Sequence, residues 1–227
     1  MKIKELLENK IYPGRGLLVG KYGDNAVFAY FIMGRSENSR NRIFMSKDDT
    51  IFTKAYDESK VKDPSLIIYN AVRTIDDKVI VTNGDQTDTI YDYLKDGKSF
   101  SDALDTRVYE PDAPNFTPRI SSLLFLDDYR YDISILKNKD GECDRYYYHY
   151  KASDNKGHFI STYVDDGNPL PSFEGEPIEV DVDLDIEEYT DMLWNSLNYD
   201  NKISLCVRYI NLNDLSYRQL IKNKNGD

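Results

Sequence analysis

The densest run of hydrogen-bond donors is Gly34-Arg35-Ser36-Glu37-Asn38-Ser39-Arg40-Asn41-Arg42, with three arginines, two serines and two asparagines directly after an apolar stretch. Guanidinium groups bind phosphate oxygens in pairs, and serine and asparagine donors complete such a shell. Arg35, Ser36, Arg40 and Arg42 are therefore candidate ligands for an anion. A solvated polar turn would have the same composition. Tyr12-Pro13-Gly14-Arg15-Gly16 sets an arginine between two glycines at the mouth of a strand, where a ligand can come close. Ordinary turn chemistry also explains it.

Three further clusters carry polar groups in places that could hold them. In Tyr69-Asn70-Ala71-Val72-Arg73 a period of two puts Tyr69 and Arg73 on one face of a strand, with Asn70 on the other. A cation beside a phenol favours the phenolate, one route to a base. Set against this, the chain holds 19 tyrosines, and most buried ones simply pack their rings. Thr82-Asn83-Gly84-Asp85-Gln86-Thr87-Asp88-Thr89 runs from a strand end to a helix start. Asn83 and Thr87 suit a base edge or carboxamide there, although helix capping accounts for the segment as well. Lastly, Tyr109 to Ile120 contains Pro111, Pro114 and Pro118, which fix φ and hold neighbouring groups in place. Glu110 and Asp112 are candidate acid/base groups, Asn115 and Thr117 candidate amide and hydroxyl contacts, and Arg119 another anion ligand; a merely rigid surface loop is the plainer reading.

The elements that must position these groups are mostly strands. Gly16 to Lys21 and Asn25 to Gly34 form a predicted hairpin around Tyr22-Gly23-Asp24, and strands are expected at 42–46, 66–74 and 78–82. From Thr87 the apolar spacing becomes helical, with Asp85 or Thr87 as cap and Gly97 as stop, and a short helix is expected at 101–104. Strand patterns return at 120–126, 131–137 and 143–151, the last two joined by Asn138-Lys139-Asp140-Gly141. An amphipathic helix follows at 186–197 and a late strand at 202–212. Residues 2–9 read as a short charged helix, so 1–11 is treated as an appendage and 12–227 as a single domain. Strand groups with a few helices imply an α+β fold with helices on antiparallel sheet.

Composition narrows the function classes. The chain has 227 residues, 40% apolar, enough for a real core. A formal net charge of -11 argues against a nucleic-acid polymer as partner, since a polyanion would be repelled. No segment reaches the roughly 20 apolar residues needed to span a bilayer, and the first residues alternate in charge unlike a secretory signal. A cytoplasmic protein without a membrane partner is expected. Cys143 and Cys206, with His149 and His158, are too few and too scattered for a disulfide framework or a metal site.

In combination and order, Tyr12-Pro13-Gly14-Arg15, Gly34-Arg35-Ser36 through Asn41-Arg42, Tyr69-Asn70 with Arg73, Asn83-Gly84 with Thr87-Asp88-Thr89-Ile90, and Glu110 through Thr117-Pro118-Arg119-Ile120 resemble the archaeal-type IMP cyclohydrolase family and its bacterial relatives. A weaker echo continues at Ile160-Ser161-Thr162-Tyr163. The resemblance implies a four-layer αββα sandwich similar to N-terminal nucleophile hydrolases, without their self-processing. Met1-Lys2 agrees, because removing the initiator would expose no Cys, Ser or Thr. It also implies a homo-oligomer and a reaction in which 5-formamidoimidazole-4-carboxamide ribotide (FAICAR) closes to IMP with loss of water.

That reaction asks the enzyme to hold formyl and carboxamide groups of one molecule in an attacking arrangement. The expected phosphate hold is Arg15, Arg40, Arg42 or Arg119, with Ser36, Arg73 and Thr117 as further substrate contacts. Arg35 is expected to donate to the formyl oxygen, Tyr69 and Glu110 to share proton transfer, and Asn70, Asn83 and Asn115 to orient the ring substituents. No cofactor, metal or folate is needed, because the formyl group arrives attached. Two rival readings are an amidohydrolase of the same fold acting on C–N bonds, which would need an activated nucleophile, and a non-catalytic purine nucleotide-binding protein.

Overall fold

The computed structural model describes residues 1–61, 64 and 67–226. Among these the chain forms two antiparallel sheets and a few helices. One sheet is built around the predicted hairpin of β1 (Arg15–Tyr22) and β2 (Asn25–Met33), whose turn has Gly23 in the left-handed region. The other runs through β3 (Arg42–Lys47), β4 (Thr50–Ala55), β5 (Asn70–Ile75) and β6 (Lys78–Thr82). Helices α3 (Gln86–Lys95) and α4 (Phe100–Asp105) then interrupt the sheet before it resumes with β7 (Arg119–Phe125), β8 (Arg130–Lys139) and β9 (Glu142–Lys151). The chain returns to the first sheet with β10 (Lys156–Ser161) and β11 (Ile178–Asp181), crosses it as α5 (Ile186–Ser196), and ends in β12 (Lys202–Asn211) and β13 (Tyr217–Asn223). The orders are β11-β10-β1-β2-β12-β13 and β3 to β9 in sequence.

β2 shows why the first sheet takes its place. Its sequence is apolar at every position after Asn25, so no polar face exists to turn outward. Ala26, Phe28, Tyr30 and Ile32 pack between the sheets against Ile51, Tyr69, Val72 and Ile120. Val27, Ala29, Phe31 and Met33 point the other way, under Ile186, Tyr189 and Leu193 of α5. Each such side chain withdrawn from water contributes about 1.5–3 kcal/mol. A third cluster joins Ile80, Leu123 and Leu136 to Ile90 of α3 and Phe100 and Leu104 of α4 on the outer face of the seven-stranded sheet. The two sheets thus pack face to face as a sandwich, with helices on their outer faces.

The first helix, α1 (Ile3–Leu7), buries Ile3 and Leu7 in the same cluster as α5. The predicted strand 66–74 appears as β5, beginning at Asn70, and Leu66 lies outside the described residues. Gly97 stops α3 with φ +74°, as expected. Asp85 takes the cap position of α3 without a capping bond, its carboxylate being held by Arg119 and Arg107 instead. A short helix α2 (Glu37–Arg40) lies inside the arginine-rich loop, and β4, β10, β11 and β13 were not among the predicted elements. No helix among the described residues is long and apolar enough to cross a membrane.

Candidate active site

Gly14 makes the entry to β1 possible. Its φ is +77°, and a Cβ there would stand 2.2 Å from Thr162 Oγ1 and 2.6 Å from the Tyr163 ring, so only glycine fits. The chain then turns into β1 with the Arg15 amide donating to Thr162 Oγ1 at 3.1 Å. This delivers the Arg15 guanidinium into the interior, where Nη2 stands 3.6 Å from Glu110 Oε2. Glu110 is fixed by the proline-rich loop, its amide donating to the Thr117 carbonyl at 2.9 Å. Burial pushes the Glu110 carboxyl above its ordinary range, while Arg15 and Arg119 pull it the other way. Burial also disfavours the charge of Arg15, but Glu110, with Tyr69, Tyr12 and Tyr163 around it, holds the guanidinium protonated.

Arg15 lines a cavity of about 200 Å³. One wall is Tyr12, Arg15, Arg35, Ser36, Ser39 and Arg42, and the other is Asp112, Asn115, Thr117, Tyr163 and Leu170. The second wall is pinned from within. Asp112 accepts from the Thr117 amide at 2.6 Å and from its hydroxyl, Thr117 Oγ1 meets the Tyr163 hydroxyl at 2.6 Å, and the Leu170 amide donates to Asn115 Oδ1 at 3.2 Å. The first wall is set by α2, where Ser36 and Ser39 form a reciprocal capping box. Arg42 is wholly buried behind it and gives its Nε hydrogen to the Ser39 carbonyl at 2.9 Å. Its two terminal nitrogens have no acceptor among the described residues. Burial, with Arg15 nearby, lowers its pKa.

Arg35 stands at the rim, 37% exposed, paired with Asp166 and donating to the Gly167 carbonyl at 3.1 Å. Its guanidinium lies 4.9 Å above the centre of the Tyr12 ring. Tyr69 lies deeper, its hydroxyl 2.8 Å from that of Tyr30, within the field of Arg15 and Arg42.

Several expected contacts are committed elsewhere. Tyr69 and Arg73 do not share a cavity, because the strict alternation expected of their strand is broken. Ile51 faces Val72 while the next residue, Phe52, faces Asn70, so Ala71 is an extra residue in a bulge. Tyr69 keeps the face between the sheets, whereas Asn70 Nδ2 and Arg73 Nη1 both reach Asp88 of α3, at 2.9 and 2.8 Å. The Arg73 guanidinium also covers the Tyr91 ring at 3.4 Å. Asn83 is fully buried, donating to the Pro118 carbonyl and accepting from Gln86 and the Ile120 amide, each at 2.9 Å. Thr87 hydroxyl meets Thr82 hydroxyl at 2.7 Å. Arg119 Nη1 holds Asp85 and Gln86, both at 2.7 Å, and acts on Glu110; neither Arg119 nor Glu110 is among the residues that line the cavity. Arg40 donates to the Gly34 carbonyl and to Asn201 Oδ1, each at 3.0 Å, and lines a separate groove with Tyr56 and Asp57.

Tyr12, Ser39 and Tyr163 line the cavity without having been singled out as site residues. Tyr12 and Tyr163 lie within the segments that carry the family resemblance, but their residue types alone assign them no role. Tyr30 gave none, being one aromatic in an apolar strand.

A family model described as IMP cyclohydrolase-like protein matches residues 12–214. The chain is 28% identical over 205 residues to the IMP cyclohydrolase of Methanocaldococcus jannaschii, covering 88% of this chain and 94% of that protein. It is 29% identical over 157 residues to the IMP cyclohydrolase of Methanosphaera stadtmanae, covering 67% and 74% of the two chains. With the IMP cyclohydrolase of Methanopyrus kandleri it shares 32% identity over 158 residues, 67% of this chain and 75% of the other.

Proposed function

The chain belongs to the IMP cyclohydrolase-like family, and from that premise we propose that it is an IMP cyclohydrolase, closing FAICAR to IMP with loss of water. The observation that carries the reading is Arg15, buried in the wall of a cavity that opens at Arg35, with Glu110 3.6 Å behind its guanidinium and Tyr69 within its field, both just outside the lining. The cavity is smaller than most ligand pockets, about 300–1,000 Å³, so a nucleotide fills it and extends past the rim. The reacting ring substituents belong at the inner end and the phosphate at the outer one.

Burial favours Arg15 over Arg35 as the donor to the formyl oxygen. A donor aimed at developing charge is strongest where water is excluded, and Arg15 meets that condition while Arg35 does not. We therefore give the oxyanion to Arg15 and the phosphate to Arg35 and Ser36, with Arg42 adding charge from beneath. The Asn115 and Thr117 side chains line the wall along which the ribose and ring would lie.

The proton steps then close on themselves. As the carboxamide nitrogen attacks the formyl carbon, the Glu110 carboxylate takes one of its protons and Tyr69 gives its phenolic proton to the formyl oxygen. The adduct carries a hydroxyl on the former formyl carbon. In the second half the Tyr69 oxygen takes the proton from the nitrogen that bore the formyl group, Glu110 returns its proton to the departing hydroxyl, and water leaves. Both residues end as they began. A carboxyl raised by burial suits this exchange, because its two forms lie closer in energy near neutral pH.

The three apolar clusters alternating with two sheets support a four-layer αββα arrangement similar to N-terminal nucleophile hydrolases. Residues 12–227 would form one catalytic domain, with 1–11 an extension docked beside α5. We place the protein in the cytoplasm as a homo-oligomer on the family resemblance alone, and the net charge of -11 disfavours a nucleic-acid partner.

The test is ultraviolet-monitored conversion of FAICAR by the purified chain, repeated with Arg15→Ala, Tyr69→Phe and Glu110→Gln. Wild type should form IMP, and each variant should lose about 10²-fold or more in kcat. Unchanged substrate with wild type, or full turnover by all three variants, would overturn the proposal.

A further inference from the structure

Tyr30 sits midway along β2, on the face turned between the sheets, at a position its neighbours Phe28 and Ile32 fill with purely apolar side chains. It is wholly buried, and its hydroxyl meets that of Tyr69 at 2.8 Å. A phenylalanine would pack the same space, and a buried hydroxyl brings little net stability once its lost hydration is counted. The charged groups that act on the pair are Arg15 from β1 and Arg42 from β3, with Glu110 beside Arg15 and Tyr12 near both arginines. Two buried cations therefore act on two phenols, and the terminal nitrogens of Arg42 have no acceptor among the described residues.

We infer that Tyr30 is a positioning residue for ring closure, donating its hydroxyl hydrogen to the Tyr69 oxygen during the interval in which that oxygen has given its proton to the substrate. The inference rests on the proposed role of Tyr69. Between the two halves of the reaction the Tyr69 oxygen carries a negative charge, and it needs a donor that does not itself give up a proton. Tyr30 fits, because burial and the adjoining Tyr69 raise its pKa well above that of an ordinary phenol. Arg15 and Arg42 supply the compensating charge, and the Tyr30 hydrogen fixes which way the Tyr69 lone pairs point.

The experiment compares Tyr30→Phe, Tyr69→Phe and the double variant in FAICAR turnover, with kcat and KM measured across pH. Tyr30→Phe should lower kcat about tenfold to a hundredfold, the change a hydrogen bond to a charged acceptor carries, with KM unchanged. The alkaline limb of kcat should move to higher pH. The double variant should be no slower than Tyr69→Phe, because the effect runs through Tyr69. An impaired Tyr69→Phe beside an unimpaired Tyr30→Phe, or a double variant whose losses multiply, overturns the inference and leaves the site reading intact. A fully active Tyr69→Phe removes both. Where Tyr30→Phe does not fold, 3-fluorotyrosine in place of Tyr30 carries the test. It is a stronger donor of nearly the same shape and should move the alkaline limb to lower pH; an unmoved limb overturns the inference.

Discussion

The guanidinium of Arg15 stands 3.6 Å from the carboxylate of Glu110, and the two side chains are only 10% and 3% exposed. That separation is too long for a hydrogen bond and short enough for strong attraction in a poorly solvated interior. Burying both charges opposes that attraction, and for Glu110 burial is the larger effect. The pair is thus poised, with a carboxyl that neither its cation nor its desolvation fully commits.

The pH profile should carry that poise. With Glu110 acting first as a base, the active form is the carboxylate, so activity falls as pH drops through the Glu110 pKa. Because that pKa is raised, the acid limb of kcat/KM should lie above the ordinary carboxylate value of about 4.3. Asp112 pushes the same pKa upward, so Asp112→Asn should move the limb to lower pH. A limb at or below the ordinary value in the wild type would exclude Glu110 as this base.

Arg35 and Asp166 make a competing contact at the rim. The two side chains are 37% and 41% exposed, so the pair is worth at most about 1 kcal/mol after solvent screening. A phosphate must take Arg35 from Asp166. Asp166→Asn should therefore lower KM by up to about fivefold with kcat unchanged, whereas Arg35→Ala should raise KM about tenfold to a hundredfold. Steady-state kinetics on the two variants checks both directions, and equal effects of the same sign would refute the competition.

Much of this arrangement was legible in the sequence, because it depended on local signals. Gly23, Gly97 and the Asn138 to Gly141 turn carried their own conformational markers, and the apolar runs of β1, β2 and β12 needed no partner to be recognised as strands. The landmarks that placed Arg15, Arg35 and Glu110 were short and linear. β4 and β13 were not legible, since Thr50–Ala55 and Tyr217–Asn223 mix Lys and Arg with apolar residues and take their strand form from the neighbours they pair with. The bulge at Ala71 was equally invisible, as it arises from the register between two strands. It explains why Arg73 does not share the face of Tyr69 that a period of two predicts.

Arg73 supplies a control for that distinction. Its guanidinium is held by Asp88 and lies over Tyr91, on the α3 face of β5. Arg73→Met should leave kcat and KM within about twofold and cost no more than about 1 kcal/mol in urea unfolding, the range for partly exposed pairs. A large rise in KM would return Arg73 to the site.

Gly14 carries the opposite expectation, a change in backbone that reaches the chemistry. Alanine there must hold φ near +77° and place its methyl within 2.6 Å of both Thr162 Oγ1 and the Tyr163 ring. Left-handed backbone costs a non-glycine residue about 1–2 kcal/mol, and overpacking adds about 1–3 kcal/mol. Relief comes most directly by shifting the turn that delivers Arg15, and with it the Tyr163 hydroxyl that ties down Thr117. Gly14→Ala should therefore lower stability by about 2 kcal/mol or more in urea unfolding and also reduce kcat in the folded fraction. A folded variant with unchanged kcat would mean that the turn sets stability alone and that Arg15 reaches Glu110 without it.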